Sequence, residues 1–287
     1  MSTHLIAVIG DTHAQIGLAV DGLEKIEKEQ GRPIDQVFSV GDFGLFLDEE
    51  DWAFLTGPSK YRKPEESPKI REAWKRWRWP LSAIAGNHEP FNRLRDFQVN
   101  HFGGKLSYID AGKLSHGLPG NLRVYGIGGI YHPQALNFEK GAKSWPKCLS
   151  LVKAGKASRS DLTYYKEEEL DLMKSLPNHP QLLLMHDWPK VPERVGFAYP
   201  RRPEAELVEK LEPEFVCCGH HHEAARFRMG QTEVRALSIV TTPALWMTGR
   251  ICPGWACLFE WDVAKGALKE VGFWPNRPDG QLSSRPI

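Results

Sequence analysis

The stretch "VCCGHHHEA", residues 216–224, sets three histidines directly behind an apolar run that ends in glycine. Val216, Cys217 and Cys218 read as the end of a buried strand, and Gly219 as the turn that stops it. The same grammar recurs along the chain. "LIAVIG" (5–10) leads to Asp11, Thr12 and His13; "QVFSVG" (36–41) leads to Asp42; "PLSAIAG" (80–86) leads to Asn87 and His88; "QLLLM" (181–185) leads to His186 and Asp187. Each is a short apolar run, bounded by Gly or a polar cluster, with metal-binding or acid–base residue types at its carboxyl end. Helical patterns separate the runs. Ile16, Val20, Leu23 and Ile26 share one face, and Gly31 with Pro33 marks its end. "KIREAWKRWRW" puts Ile70, Trp74 and Trp77 on one face. A further helix is expected after Ser160 or Asp161, with Leu162, Tyr165, Leu170 and Met173 inward, and another over "PEAELVEKL" between Pro203 and Pro213. The fold class is therefore α/β, and in open α/β sheets the carboxyl edge is where ligands bind. The last quarter, "VRALSIVTT", "WACLFEWDV" and "KEVGFW", predicts strands that contribute antiparallel pairing to a second sheet.

Composition narrows the classes. The chain has 287 residues, 41% hydrophobic and 25% charged, with a formal net charge of +1. A near-neutral balance excludes a global nucleic-acid or membrane field, so any basic footprint is local. No apolar run is long enough to span a membrane, and the first residues lack a signal-peptide pattern, so a cytoplasmic protein is expected. Five cysteines without a C-x-x-C pattern fit free thiols in a reducing compartment. Cys217 and Cys218, adjacent on a strand, must point to opposite faces and cannot share a zinc ion.

Imidazoles and carboxylates at five strand ends suit divalent transition ions, and two such ions need a shared oxygen ligand to stand roughly 3.5–4 Å apart. Asp11 and His13 share a strand face if the strand continues, as do His220 and His222, which would turn His221 away. Asp42, alone at its strand end, is the natural bridging carboxylate. Asn87 offers an amide oxygen and His186 another imidazole. His88, adjacent to Asn87, faces differently and suits a proton donor beside the ions.

"GDTH", "GD", "GNHE", "MHD" and "GHHH", in that order, resemble the calcineurin-like metallophosphoesterases over most of residues 5–225. The resemblance implies a sandwich of two mixed β-sheets flanked by α-helices, within a domain over 1–265, with two divalent metal ions at one edge. Carried over by motif, one ion takes Asp11, His13, Asp42 and His222. The other shares Asp42 and adds Asn87, His186 and His220, and His88 is the catalytic histidine. Manganese is the expected ion; Fe, Zn, Ni and Co also suit these ligands. The spacers "GDFGLFLDEEDWAFLTGPSKYR", "GNHEPFNRL", "RVYGIGGIYHP", "LLLMHDWP" and "AELVEKLEPEFVCCGHHH" are similar to the RNA lariat-debranching branch of the family. That branch typically carries Cys where this chain has Asp11.

The function this implies is hydrolysis of a phosphodiester in RNA, single-stranded DNA or a nucleotide. The alternatives are a phosphomonoesterase or protein phosphatase on the same ions and a non-catalytic metal-binding scaffold. Residues 131–160 are a candidate substrate-recognition insert, with Lys140, Lys143, Lys147, Lys153, Lys156 and Arg159 against Glu139 alone, and Tyr131, His132 and Trp145 for base stacking. A second basic run, 59–80, turns Trp74 and Trp77 inward and Arg71, Lys75 and Arg78 outward. His221 either packs behind the site or meets substrate. Asp187 either orients a neighbour or caps the turn before Trp188. Residues 266–287 are expected to hold a terminal strand and a loose tail. Oligomeric state is not legible from these residues.

Overall fold

A computed structural model of the chain describes residues 3–57, 59–94, 105–113, 118–132, 144–189, 202–242, 245 and 248–276. The apolar runs become strands whose alternate residues face opposite layers. β1 (Thr3–Ile9), β2 (Gln36–Ser39), β3 (Leu81–Ala83) and β4 (Leu106–Tyr108) run parallel in that order. β10 (Ala256–Asp262) pairs antiparallel with the free edge of β1, and β11 (Ala267–Trp274) with β10, giving the six-stranded order β11-β10-β1-β2-β3-β4. The second sheet joins β5 (Val124–Ile127), β6 (Leu182–Met185), β7 (Phe215–Cys218), β8 (Ala225–Met229) and β9 (Thr232–Ala236) in the order β5-β6-β7-β9-β8. Only the β8–β9 hairpin is antiparallel there. The two sheets, both mixed and flanked by helices, make the expected sandwich.

Three apolar layers follow from that alternation. Ile6, Val8, Phe38, Leu182, Leu184, Cys217 and Phe259 fill the space between the sheets. Leu5, Ala7, Ile9 and Val37 face outward onto α1 (Ile16–Gln30) and α3 (Ser67–Arg76). Leu183, Met185, Val216 and Cys218 face the other way, onto α5 (Glu167–Lys174) and α6 (Pro203–Leu211). Adjacent Cys217 and Cys218 thus lie in different layers, as strand alternation requires, and all five cysteines are buried and free. Two short helices complete the description: α2 (Glu49–Phe54), capped by the Asp48 carboxylate on the Asp51 amide, and α4 (Trp145–Lys153). α1 ends where expected, with Gly31 in the left-handed conformation at φ 65°.

Three expectations are corrected. The strands of the last quarter divide between the sheets: β10 and β11 complete the first sheet beside β1, whereas the second gains the β8–β9 hairpin, and the strand in "VRALSIVTT" ends at Ala236. The helix expected from about residue 161 starts only at Glu167. Residues 159–163 form a 3₁₀ turn capped by Ser158, and a bridge between Ile130 and Tyr164 pulls residue 164 into extended backbone. Leu162, Tyr165, Leu170 and Met173 are nonetheless all buried. Trp77 lies one residue beyond α3, yet its ring is fully buried, stacked on Trp74 at 5.4 Å and edge-on to Trp79 and Phe43.

The second basic run is largely neutralised. Arg76 reaches Asp21 and Glu24 on α1, Arg78 reaches Glu24 and Glu27, and Lys75 pairs with Glu72. Lys140 and Lys143 of the candidate insert, and residues 277–287 of the tail, lie outside the described residues. No helix among the described residues is long and apolar enough to cross a membrane.

Candidate metal centre

Loops leaving the carboxyl ends of β1, β2, β3, β6 and β7 converge at one edge of the sandwich. The first sheet brings Asp11, His13, Asp42, Asn87 and His88; the second brings His186, His220 and His222. Asp11, His13, Asp42 and His222 offer ligand atoms that all lie within 4.8 Å of one another, and so do Asp42, His186 and His220. The Asn87 amide oxygen is 2.9 Å from His186 Nε2, which places it with the second group. Asp42 belongs to both.

The convergence of the outer histidines does not come from strand alternation. β1 stops at Ile9 and β7 at Cys218. Instead His13, Ala14, Asp42, His220 and His222 all adopt left-handed backbone, with φ between 44° and 67°. For a residue with a Cβ that region costs of order 1–3 kcal/mol, and it persists only where surrounding bonds hold it. Those bonds are present. The Thr12 and His13 amides donate to Asp42 O at 3.1 and 2.9 Å, and Ala14 N donates to Phe43 O at 3.3 Å. Two glycines make room: a Cβ on Gly86 would stand 2.0 Å from Asp42 Oδ1, and one on Gly219 2.3 Å from Asp11 Oδ1.

The donor set fits a pair of cations. Asp42 Oδ1 accepts from the His88 amide at 2.6 Å, but Asp42 Oδ2 is buried and has no hydrogen-bond partner. Around that oxygen stand His186 Nε2 at 3.5 Å and His13 Nε2 at 3.6 Å. A buried, unsatisfied carboxylate oxygen is costly unless a positive charge meets it. The same demand appears in His186. Burial disfavours its charged form, yet the Asp42 carboxylate outweighs burial and lifts the imidazole to about 10. Asp42 itself, although burial opposes it, is drawn well below the usual carboxylate range by His186. His186 Nδ1 lies 2.8 Å from Val40 O, a pure acceptor, so Nδ1 carries a proton and Nε2 is the atom turned to the centre. Burial, and then His186, push His220 down to about 4, and burial lowers His13. Both rings are therefore neutral and ready to donate lone pairs at neutral pH. His222 is raised: burial opposes, but its bond to Asp11 prevails, with Nε2 at 3.1 Å from Asp11 Oδ2.

His88 stands beside these groups, its ring 5.5 Å from that of His13. Its Nδ1 is 2.8 Å from Thr56 O, which fixes the tautomer with hydrogen on Nδ1 and leaves Nε2 without that tie. The Thr56 hydroxyl in turn donates to Asn87 O at 2.5 Å.

His221 turns away, as its neighbours require. Its Nε2 is 3.3 Å from Asp187 Oδ1, and its ring packs edge-on to Trp188. Asp187 does both things expected of it: it holds His221, and the same oxygen accepts from the Trp188 amide at 2.8 Å. Its second oxygen meets Arg202 Nη1 at 3.0 Å. Trp188 Nε1 donates to Gly219 O at 2.7 Å, bracing the β6 loop against the β7 loop. Asp187, His220 and His221 also cluster closely enough to suggest cation ligands, but the Arg202 guanidinium already supplies the charge there.

Reading the chain residue by residue missed Thr56 and Glu89. Nothing in sequence marks a backbone carbonyl as the partner of His88. Glu89, an acid directly after three site-forming residues, carried a signal that its fully buried position makes plain.

The family model described as calcineurin-like phosphoesterase matches residues 4–224. The chain is 25% identical over 257 residues to the lariat debranching enzyme of Drosophila melanogaster, covering 86% of this chain and 42% of that protein. It is 24% identical over 232 residues to the lariat debranching enzyme of Schizosaccharomyces pombe, covering 77% and 43%. The chain thus spans less than half the length of these two curated relatives. Among solved structures, a putative 5′-nucleotidase from Staphylococcus aureus superposes with a TM-score of 0.50 at 13% identity, over 95% of this chain and 53% of that one, a likeness of fold alone.

Proposed function

The chain belongs to the calcineurin-like phosphoesterase family, and on that premise we propose that it is a two-metal phosphodiesterase acting on nucleic acid or nucleotides. The observation that carries the metal-dependent reading is the orphaned Asp42 Oδ2, buried between His13 and His186. Asp11, His13, Asp42 and His222 would hold one ion, and Asp42, Asn87, His186 and His220 the other, manganese being the first choice and Fe, Zn, Ni or Co alternatives. When bound, such a pair supplies positive charge against the non-bridging phosphate oxygens and makes water a nucleophile at neutral pH. The chain's own residues do the rest. His88, held through Nδ1 by Thr56, presents Nε2 to the leaving oxygen and, as imidazolium, protonates it there, a contribution of roughly 10²–10⁴-fold. The His88 amide on Asp42 Oδ1 keeps that donor in register with the carboxylate common to both ligand groups.

A diester in nucleic acid is supported by two things. Both curated relatives named above act, by their names, on lariats. Lys147, Lys153 and Lys156 are exposed on and after α4, where they suit a phosphate backbone. Arg159, by contrast, is spent on Ala53 O and the Phe54 ring, and Trp145 packs toward Phe91, so neither supports a substrate contact. The buried free thiols fit a reducing, cytoplasmic setting. The test is hydrolysis of linear RNA, 2′,5′-branched RNA, single-stranded DNA, cyclic nucleotides and the p-nitrophenyl mono- and bis-esters by metal-stripped protein, with and without Mn²⁺. Preference for the bis-ester and a polynucleotide is expected. Turnover confined to the mono-ester would replace this reading with a phosphomonoesterase, and bound metal with no turnover on any ester would replace it with a scaffold.

A further inference from the structure

Glu89 is fully buried immediately after His88, and no step above uses it. Its carboxylate gathers three backbone amides: Oε1 accepts from Phe43 at 2.9 Å and from Gly86 at 3.4 Å, and Oε2 accepts from Gly44 at 3.0 Å. Two of these amides follow Asp42, and the third precedes Asn87. The loop carrying Asp11 and His13 hangs from the same segment, through the Thr12, His13 and Ala14 amides on the carbonyls of Asp42 and Phe43. One side chain therefore ties together the three loops by which the first sheet reaches the centre. The segment it grips is left-handed at Asp42 and Gly44, a conformation that external bonds must maintain. Only an acceptor with two oxygens suits this cradle: a glutamine would turn one of them into an N–H facing an N–H.

We propose that Glu89 is a positioning residue whose three amide bonds set the Asp42 loop against the Asn87–His88 loop and so fix the spacing of the two ion positions. This rests on the two-metal reading of the site. It differs from a role in folding alone, because it predicts altered coordination in a chain that is still folded.

The test uses the full chain with Co²⁺ as probe, comparing wild type, Glu89→Gln and Thr232→Val. Thr232 is a buried residue bonded to Pro213 O at 2.7 Å, outside the candidate centre, and serves as a control for general destabilisation. Thermal unfolding, ions bound per chain, Co²⁺ dissociation constants, the visible Co²⁺ spectrum, and kcat and KM on bis-p-nitrophenyl phosphate are measured for each. In Glu89→Gln we expect at least one ion to bind tenfold or more weakly, a changed spectrum, and kcat lowered tenfold or more with KM within about threefold. Thr232→Val should keep wild-type spectrum and affinities whatever its unfolding temperature. Should Glu89→Gln not fold, Glu89→Asp, which keeps both acceptors but withdraws them by one methylene, carries the same comparison. Two ions bound with wild-type affinity and spectrum in the folded Glu89 variant would overturn the proposal. A wild-type chain that binds no Co²⁺ would overturn the two-metal reading itself.

Discussion

Glu204 offers a perturbation whose size follows from its surroundings. It lies in the first turn of α6, 2% exposed, and neither carboxylate oxygen has a hydrogen-bond partner. The helix N-terminus favours a negative charge there by about 0.3–1 kcal/mol. Burial, followed by repulsion from Asp187, outweighs that and pushes the carboxyl up to about 7 from an ordinary 4.5. A carboxyl raised on folding contributes stability that is complete below its unfolded value and is lost as pH rises through its folded value. The window is therefore pH 4.5 to somewhat above 7. The gap between 4.5 and about 7, at about 1.36 kcal/mol per pH unit, amounts to about 3 kcal/mol. Glu204→Gln carries no charge at any pH and so lacks this loss. Urea unfolding of both proteins, followed by tryptophan fluorescence from pH 4 to 9 in the presence of a chelator, isolates the difference, because every other titrating group is common to the pair. Relative to wild type, the variant should gain about 3 kcal/mol between the ends of the range, most of it between pH 4.5 and somewhat above 7. Parallel stability profiles would refute the reasoning and show that the Glu204 carboxyl ionises inside the fold without cost.

His88→Ala should retain two ions per chain by elemental analysis, yet lose roughly 10²–10⁴-fold in kcat on an alkyl leaving group; the loss should shrink for p-nitrophenolate, which needs little protonation. Gly86→Ala should abolish activity while Gly230→Ala, where a Cβ meets open space at φ 60°, should cost only about 1 kcal/mol of stability and leave turnover intact. Asp42→Ala should lose both ions, read as metal content after dialysis. Replacing Lys147, Lys153 and Lys156 with glutamate should weaken single-strand binding and flatten its salt dependence by up to about 0.7 for each phosphate no longer neutralised, measured by fluorescence anisotropy at several salt concentrations.

The order of the motifs was readable because each ligand-bearing loop follows a buried strand, and buried strands announce themselves as apolar runs closed by glycine. That periodicity alone placed Asp11, Asp42, Asn87, His186 and His220 at one edge. How the side chains meet there was not readable. The convergence of His13 and His222 depends on left-handed backbone at five non-glycine positions, and no local propensity favours that; it is imposed by bonds between loops far apart in sequence. The destination of β10 and β11 was hidden for a related reason: an antiparallel strand carries no mark of which sheet edge it will join. The basic run at 75–78 could be read as facing outward but not as paired, because its partners, Asp21, Glu24 and Glu27, lie some fifty residues earlier on α1. Helix onset at Glu167 escaped because a single bridge from Ile130 overrides the propensity of residues 161–166.

The pairing of β1 carries a consequence for how the chain is made. Its register with β10 joins Ile9 to Ala256 and Thr3 to Asp262, so the strand that leads to Asp11 is completed by one synthesised well after it. Every candidate ligand has been synthesised by His222, but at that moment one side of β1 still presents open amides and carbonyls to any passing strand. A nascent chain, or a product truncated before residue 256, would hold a full set of ligands on an unfinished sheet and be prone to intermolecular strand capture. Assembly of the catalytic edge thus waits on a segment that supplies it with no side chain.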